Sequence, residues 1–152
     1  MSTTQLAGPQ ELIALVGTRL GVSATHRVSQ NQIDQFASAT GDHQWIHVDP
    51  VRAKDGPFGT TVVHGYLTLA LLPVLLDEVF TIGGTKMILN YGLDRVRFPA
   101  ALPVDSEIAG TVDVLSAEHR GPDVQAVLRV TVTATGAPKP ACVADSVLRF
   151  VS

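Results

Sequence analysis

From Val124 the chain reads VQAVLRVTVTA, with Val124, Ala126, Leu128, Val130 and Val132 on one face and Gln125, Arg129, Thr131 and Thr133 on the other. Apolar and polar positions alternating over that length predict a strand with one face on a core. Similar alternation predicts strands over 85–98, 106–116 and 140–151, separated by breaks at 99–103, 119–122 and 136–140. Almost everything after Gly84 therefore reads as long antiparallel strands.

The first half follows a helical period. Over 63–80, Tyr66, Leu67, Leu69, Leu71, Leu72, Val74, Leu75, Leu76, Val79 and Phe80 cover every helical face. Such a helix is predicted to be surrounded on all sides. Pro73 predicts a kink or two helical pieces, because it removes a hydrogen bond and crowds the preceding turn. Upstream, PQELIALVGTR predicts a short helix with Pro9 at its first position, and VSATHRVS a strand. SQNQIDQFASAT predicts a second helix capped by Ser29 or Asn31 and ending near Gly41.

Between these helices, GDHQWIHVDPVRAKDGPFGTT (41–61) is broken by glycine and proline. Loops of that length inside compact domains are usually functional or disordered, and Trp45, Ile46, Val48 and Phe58 argue against disorder. Within it, DPVRAKDG predicts a short helix started by Asp49 with Pro50 first. The architecture expected is α+β: a long antiparallel β-sheet wrapped around a central buried α-helix, in a single domain over 1–152.

Composition sharpens this picture. The 152 residues suit one domain with a substantial core. With 45% hydrophobic residues, 16% charged and a mean hydropathy of +0.25, more apolar surface is present than one small monomer usually hides, so a homodimer or other homo-oligomer is expected. The net charge of −3 and eleven scattered Lys and Arg exclude a nucleic-acid surface. The longest apolar segment is interrupted by His64, Gly65 and Pro73 and falls short of the roughly 20 residues a bilayer needs, so no membrane insertion is expected. Cys142 is the single cysteine, and MSTTQLAGPQ lacks the features of a signal peptide; a cytoplasmic protein is expected.

Three of the five histidines, His43, His47 and His64, fall within 43–64 beside Asp42, Asp49 and Asp55. Asp42 follows Gly41 at a helix end, while Trp45 and Ile46 are expected to bury the loop and lower the dielectric around Asp42 and His47. A carboxylate and an imidazole within reach of one water make a general acid and base pair. At HGY, Gly65 opens the apolar helix, where first-turn N–H groups lack intrahelical partners, so its N–H is a candidate oxyanion donor. There is no CxxC pattern and no GxGxxG or Walker-type loop, and neither metal nor cofactor is expected. Cys142 lies in an alternating strand and reads as packed in the sheet.

FASATGDHQWIHVDP followed by GPFGTTVVHGYLTLALL resembles the MaoC-like (R)-specific enoyl-CoA hydratases, and with NYGLDRVRFPAALPV the resemblance extends across most of the chain. It implies a hot-dog fold, a homodimer whose sheets join, and CoA thioesters as substrates. It also implies that Asp42 and His47 are the catalytic pair and that Gly65 N–H polarises the thioester carbonyl. His47 is favoured as base and Asp42 as proton donor. Where many members read D-x-N-P-[LIV]-H, Gln44 and Trp45 stand for Asn and Pro, a departure that bears on acyl-chain preference.

Asn90 and Tyr91 interrupt the first long strand, and either line the acyl or pantetheine channel or mark a bulge at Gly92. Arg95 and Arg97 share a strand face that either meets CoA phosphates or is solvated. His64 reads as a structural residue at the helix start. Two rival functions fit the same fold, an acyl-CoA thioesterase and a non-catalytic acyl-CoA-binding or partner subunit of a heteromeric dehydratase.

Overall fold

The computed structural model describes residues 2–152. The chain begins with β1 (Thr4–Leu6), the one-turn α1 (Glu11–Ala14), β2 (Arg19–Val22) and β3 (His26–Arg27). The helix expected over 9–19 is thus a single turn. By Gly17, at φ 85°, the chain has already joined the sheet, donating its N–H to the Val114 carbonyl at 2.8 Å. The strand expected from VSATHRVS is interrupted, because the Ser23 hydroxyl accepts the Gly110 N–H (2.9 Å) where a continuing strand would offer a carbonyl.

Next come α2 (Gln30–Thr40), α3 (Trp45–Val48) and α4 (Pro50–Lys54). Ser29 caps α2 by accepting the Gln32 N–H at 3.2 Å, and Gly41 closes it in the left-handed region at φ 87°, as its sequence predicts. Asp49 likewise caps α4, which begins at Pro50. The long apolar helix is two pieces, α5 (Gly65–Ala70) and α6 (Leu72–Val79), meeting at Leu71 so that Pro73 falls in a first turn, where its missing N–H is harmless.

β4 (Phe80–Ile82) pairs in parallel with β1. The four long strands follow as β5 (Met87–Arg97), β6 (Glu107–Arg120), β7 (Asp123–Ala134) and β8 (Cys142–Val151). The sheet order is β2-β6-β7-β8-β5, with β3 also against β6, and every pairing within it is antiparallel. Val124, Ala126, Leu128, Val130 and Val132 are all buried, as their alternation requires. Gly110 on β6 lets the central helix approach, since a Cβ there would stand 3.0 Å from Leu75 Cδ1.

The central helix is not surrounded on all sides within one chain. Tyr66 is 71% exposed and Val74 41%, because the sheet covers only part of the helix surface. β5 ends the sheet, pairs only with β8 among the described residues, and is exposed along nearly its whole length. Between α5, α6 and β5 runs an open groove of about 360 Å³ whose walls include Leu69, Leu72, Pro73, Leu76, Asn90 and Leu93. Among the described residues, no helix is long and apolar enough to cross a membrane.

Candidate active site

The left-handed end of α2 turns the chain so that Asp42 emerges directly after it. The Asp42 N–H donates to Thr40 Oγ1 and its Oδ1 accepts the Gln44 N–H, both at a long 3.4 Å. Gln44 then starts the single turn of α3, an element not foreseen in the sequence, and that turn carries His47 inward. His47 is buried, and its Nδ1 is 2.7 Å from the Val62 carbonyl. A carbonyl only accepts, so Nδ1 carries the hydrogen and the basic lone pair of the neutral ring is on Nε2.

Gln30 anchors this turn from α2. Its Nε2 donates to the His47 carbonyl (2.8 Å) and the Asp34 carboxylate (3.0 Å), while its Oε1 accepts the Thr61 hydroxyl (2.6 Å). Thr61 in turn adjoins Val62, whose N–H donates to the Ile46 carbonyl at 3.0 Å. On the outer side Trp45 lies against Gly56, where a Cβ would stand 3.0 Å from the indole, and under the Arg52 guanidinium at 4.3 Å. Trp45 and Ile46 are half-buried and help to bury His47, but Asp42 stays exposed at the turn. The expected shielding therefore reaches the imidazole and not the carboxylate.

A third side chain completes the cluster. His64 is 2% exposed and stacks on His47, with 4.0 Å between ring centroids and 24° between planes. Phe36 packs against it at 4.8 Å. His64 Nε2 is 3.0 Å from the main-chain carbonyl of Asp42, and its Nδ1 is buried with no hydrogen-bond partner among the described residues. His64 does begin α5, as its position implies, yet its side chain caps nothing. Its place beside the pair, like that of Gln30, depends on contacts between segments far apart in sequence, and no local pattern marks it.

One donor atom each from Asp42, His47 and His64 fall within 4.8 Å of one another. A carboxylate and two imidazoles are ligands that Zn²⁺ takes. Each ring gives one nitrogen to a main-chain carbonyl, which orients the other nitrogen of His47 and of His64.

Gly65 follows His64 and opens α5, so its N–H lies in the first turn. A Cβ on Gly65 would meet the Phe98 ring at 3.3 Å. Both residues border a cavity of about 300 Å³ that also includes Phe58, Val63, Thr68 and Leu102.

The weaker sequence candidates separate. The bulge is present, the register of β5 against β8 shifting between Asn90 and Gly92. Asn90 lines the groove beside the central helix. Tyr91 stands on the outer face of the sheet, with the Arg149 guanidinium 5.1 Å from its ring centroid. Arg97 is also on that outer face, in a cleft with Arg95, Arg129 and Asp145, where Asp145 is bound in a bidentate pair with Arg129. Within one chain neither Tyr91 nor Arg97 joins Asp42 and His47. Cys142 is fully buried in β8, and burial pushes its thiol up to about 11.

Comparison with known proteins adds three kinds of likeness. The family model described as a MaoC like domain matches residues 13–136. 3-Hydroxyacyl-thioester dehydratase Z of Mycobacterium tuberculosis is 49% identical over 143 residues, 93% of this chain and 95% of that protein. Nodulation protein N of Rhizobium leguminosarum bv. viciae is 41% identical over 133 residues, covering 86% of this chain and 83% of that one. Among solved structures, an (R)-hydratase from A. caviae involved in PHA biosynthesis aligns with a TM-score of 0.72 at 22% identity, covering 90% of this chain and 96% of that one. That likeness shows the fold, a hot-dog arrangement of long sheet and central helix.

Proposed function

The chain belongs to the MaoC like domain family of dehydratases, and from that premise we propose that it is an (R)-specific enoyl-CoA hydratase, a hydro-lyase. It adds water reversibly and syn to trans-2-enoyl-CoA, giving (R)-3-hydroxyacyl-CoA, in the cytoplasm and without a cofactor. The observation that carries this reading is the fixed His47 tautomer beside Asp42, with Nδ1 held by the Val62 carbonyl and Nε2 left as the base.

His47 Nε2 removes a proton from water as the oxygen attacks C3, and the C2=C3 electrons move toward the thioester oxygen. The Gly65 N–H holds the charge that develops there, Asp42 acting as the carboxylic acid gives its proton to C2, and the proton taken by His47 then passes to the Asp42 carboxylate and restores both groups. Removing one such donor in other enzymes costs about 3–4 kcal/mol. Asn90 is assigned to the acyl groove; Tyr91 and Arg97 are given no substrate contact within one chain.

The working form in this reading is a homodimer. The exposed apolar face of β5 and the open side of the central helix supply the surface a second copy would cover. The test is loss of enoyl-thioester absorbance when purified protein is mixed with crotonyl-CoA, with the product identified by (R)- and (S)-specific 3-hydroxyacyl-CoA dehydrogenases. An (R) product supports the reading; release of free CoA would make it a thioesterase, and binding without turnover a partner subunit.

A further inference from the structure

His64 touches two parts of the site at once, the main chain of Asp42 through its Nε2 and the ring of His47 through its face. We propose that His64 is a positioning residue of the hydration site, a neutral imidazole protonated on Nε2 that fixes the spacing between Asp42 and His47. The inference rests on Asp42 and His47 being the reacting pair.

The tautomer follows from the partners. The Asp42 carbonyl accepts only, so Nε2 carries the hydrogen, and the lone pair is on Nδ1. A second proton on Nδ1 would create a buried N–H with no acceptor, on a ring that is 2% exposed. A buried N–H left without an acceptor is unfavourable, so the geometry favours a single ring hydrogen, on Nε2. His47 must become an imidazolium when it takes the proton from water. At 4.0 Å a neutral aromatic face tolerates that cation, whereas a second cation there would oppose it.

The rest of the residue is fixed as well. The His64 carbonyl accepts the Leu67 and Thr68 N–H groups at 3.0 and 3.1 Å, which ties it to the first turn of α5, and Phe36 holds the ring from α2. Since the side chain caps no helix N–H, its two contacts with the pair are what the imidazole provides. Misplacing reacting groups by about 1 Å can lower turnover ~100-fold, so one residue that holds both members has leverage over rate.

The test has one arm that needs no activity. In protein labelled with ¹⁵N-histidine, long-range ¹H–¹⁵N correlation at neutral pH is expected to show His64 as the Nε2–H tautomer and His47 as the Nδ1–H tautomer. In the kinetic arm, His64→Gln keeps an amide donor for the Asp42 carbonyl but removes the ring, and His64→Phe keeps the ring but removes the donor. Each is expected to lower kcat by about 10- to 100-fold, the range seen when orienting partners of metal-bound imidazoles are removed, with KM within about twofold. Finding His64 as Nδ1–H or as an imidazolium overturns the proposal, as does a wild-type kcat in both folded variants or a loss confined to KM. Failure of the wild-type protein to hydrate any enoyl thioester would instead sink the hydratase reading, and the tautomer arm separates the two.

Discussion

The side-chain amide of Gln30 donates to the main-chain carbonyl of His47 at 2.8 Å, joining the first turn of α2 to a residue 17 positions along the chain. The same amide accepts the Thr61 hydroxyl, so one side chain braces the segments on both sides of the imidazole. Gln30→Ala leaves both partners without their bond. It is expected to destabilise the protein by about 1–3 kcal/mol and to lower kcat more than it raises KM, read by thermal unfolding and steady-state kinetics. An unchanged kcat would mean that the brace is not needed for turnover.

Gly65→Ala tests the close approach of Phe98. The added Cβ would meet that ring at 3.3 Å, and Phe98, 39% exposed, has room to yield. A loss of about 1 kcal/mol in transition-state stabilisation is expected, the low end of overpacking effects, with partial recovery in Gly65→Ala/Phe98→Leu. The readout is kcat/KM of the single and double variants. No recovery would place the defect in the helix start and not in the ring.

The architecture was largely legible because both of its patterns are local. Alternation in VQAVLRVTVTA placed β7, and Ser29, Gly41, Asp49 and Pro50 marked the bounds of α2 and α4. The split at Pro73 followed from proline's missing N–H. Less of the site could be read. Asp42 and His47 stood out as an acid and an imidazole in one loop, but the His64 stack and the Gln30 brace arise only when remote segments pack. The apolar helix is left partly uncovered within one chain for a related reason: periodicity records that a face is apolar, not what covers it. β5 shows the same ambiguity, with Ile88 and Leu93 each 46% exposed.

Those two residues give a test of assembly. Ile88→Glu and Leu93→Glu place charge on apolar strand surface next to the open groove. Each is expected to turn a dimer into a monomer by light scattering, with lower thermal stability. A monomeric wild-type protein, or variants that remain dimeric, would contradict the proposed dimer.

Cys142 supplies a pH test of packing. Burial raises its thiol from 9.0 to about 11, so the folded state holds the proton where the unfolded state has released it. Its effect on stability is absent below about 9 and grows as a loss between about 9 and 11. Cys142→Ser or Cys142→Ala is expected to flatten that part of the stability–pH curve, measured by denaturant unfolding. In the native protein the thiol should resist a disulfide reagent at pH 8 and react only after unfolding.

The most direct measurement is turnover of crotonyl-CoA by Asp42→Asn and His47→Ala beside the wild-type protein, each first verified as folded and in the same oligomeric state. A positioned acid or base typically contributes about 10²- to 10⁴-fold, so each variant is expected to lose at least about 10²-fold in kcat while still binding substrate. Either variant turning over within about threefold of wild type, or a hydration activity that survives the loss of both groups, would show that Asp42 and His47 are not the pair that handles the water.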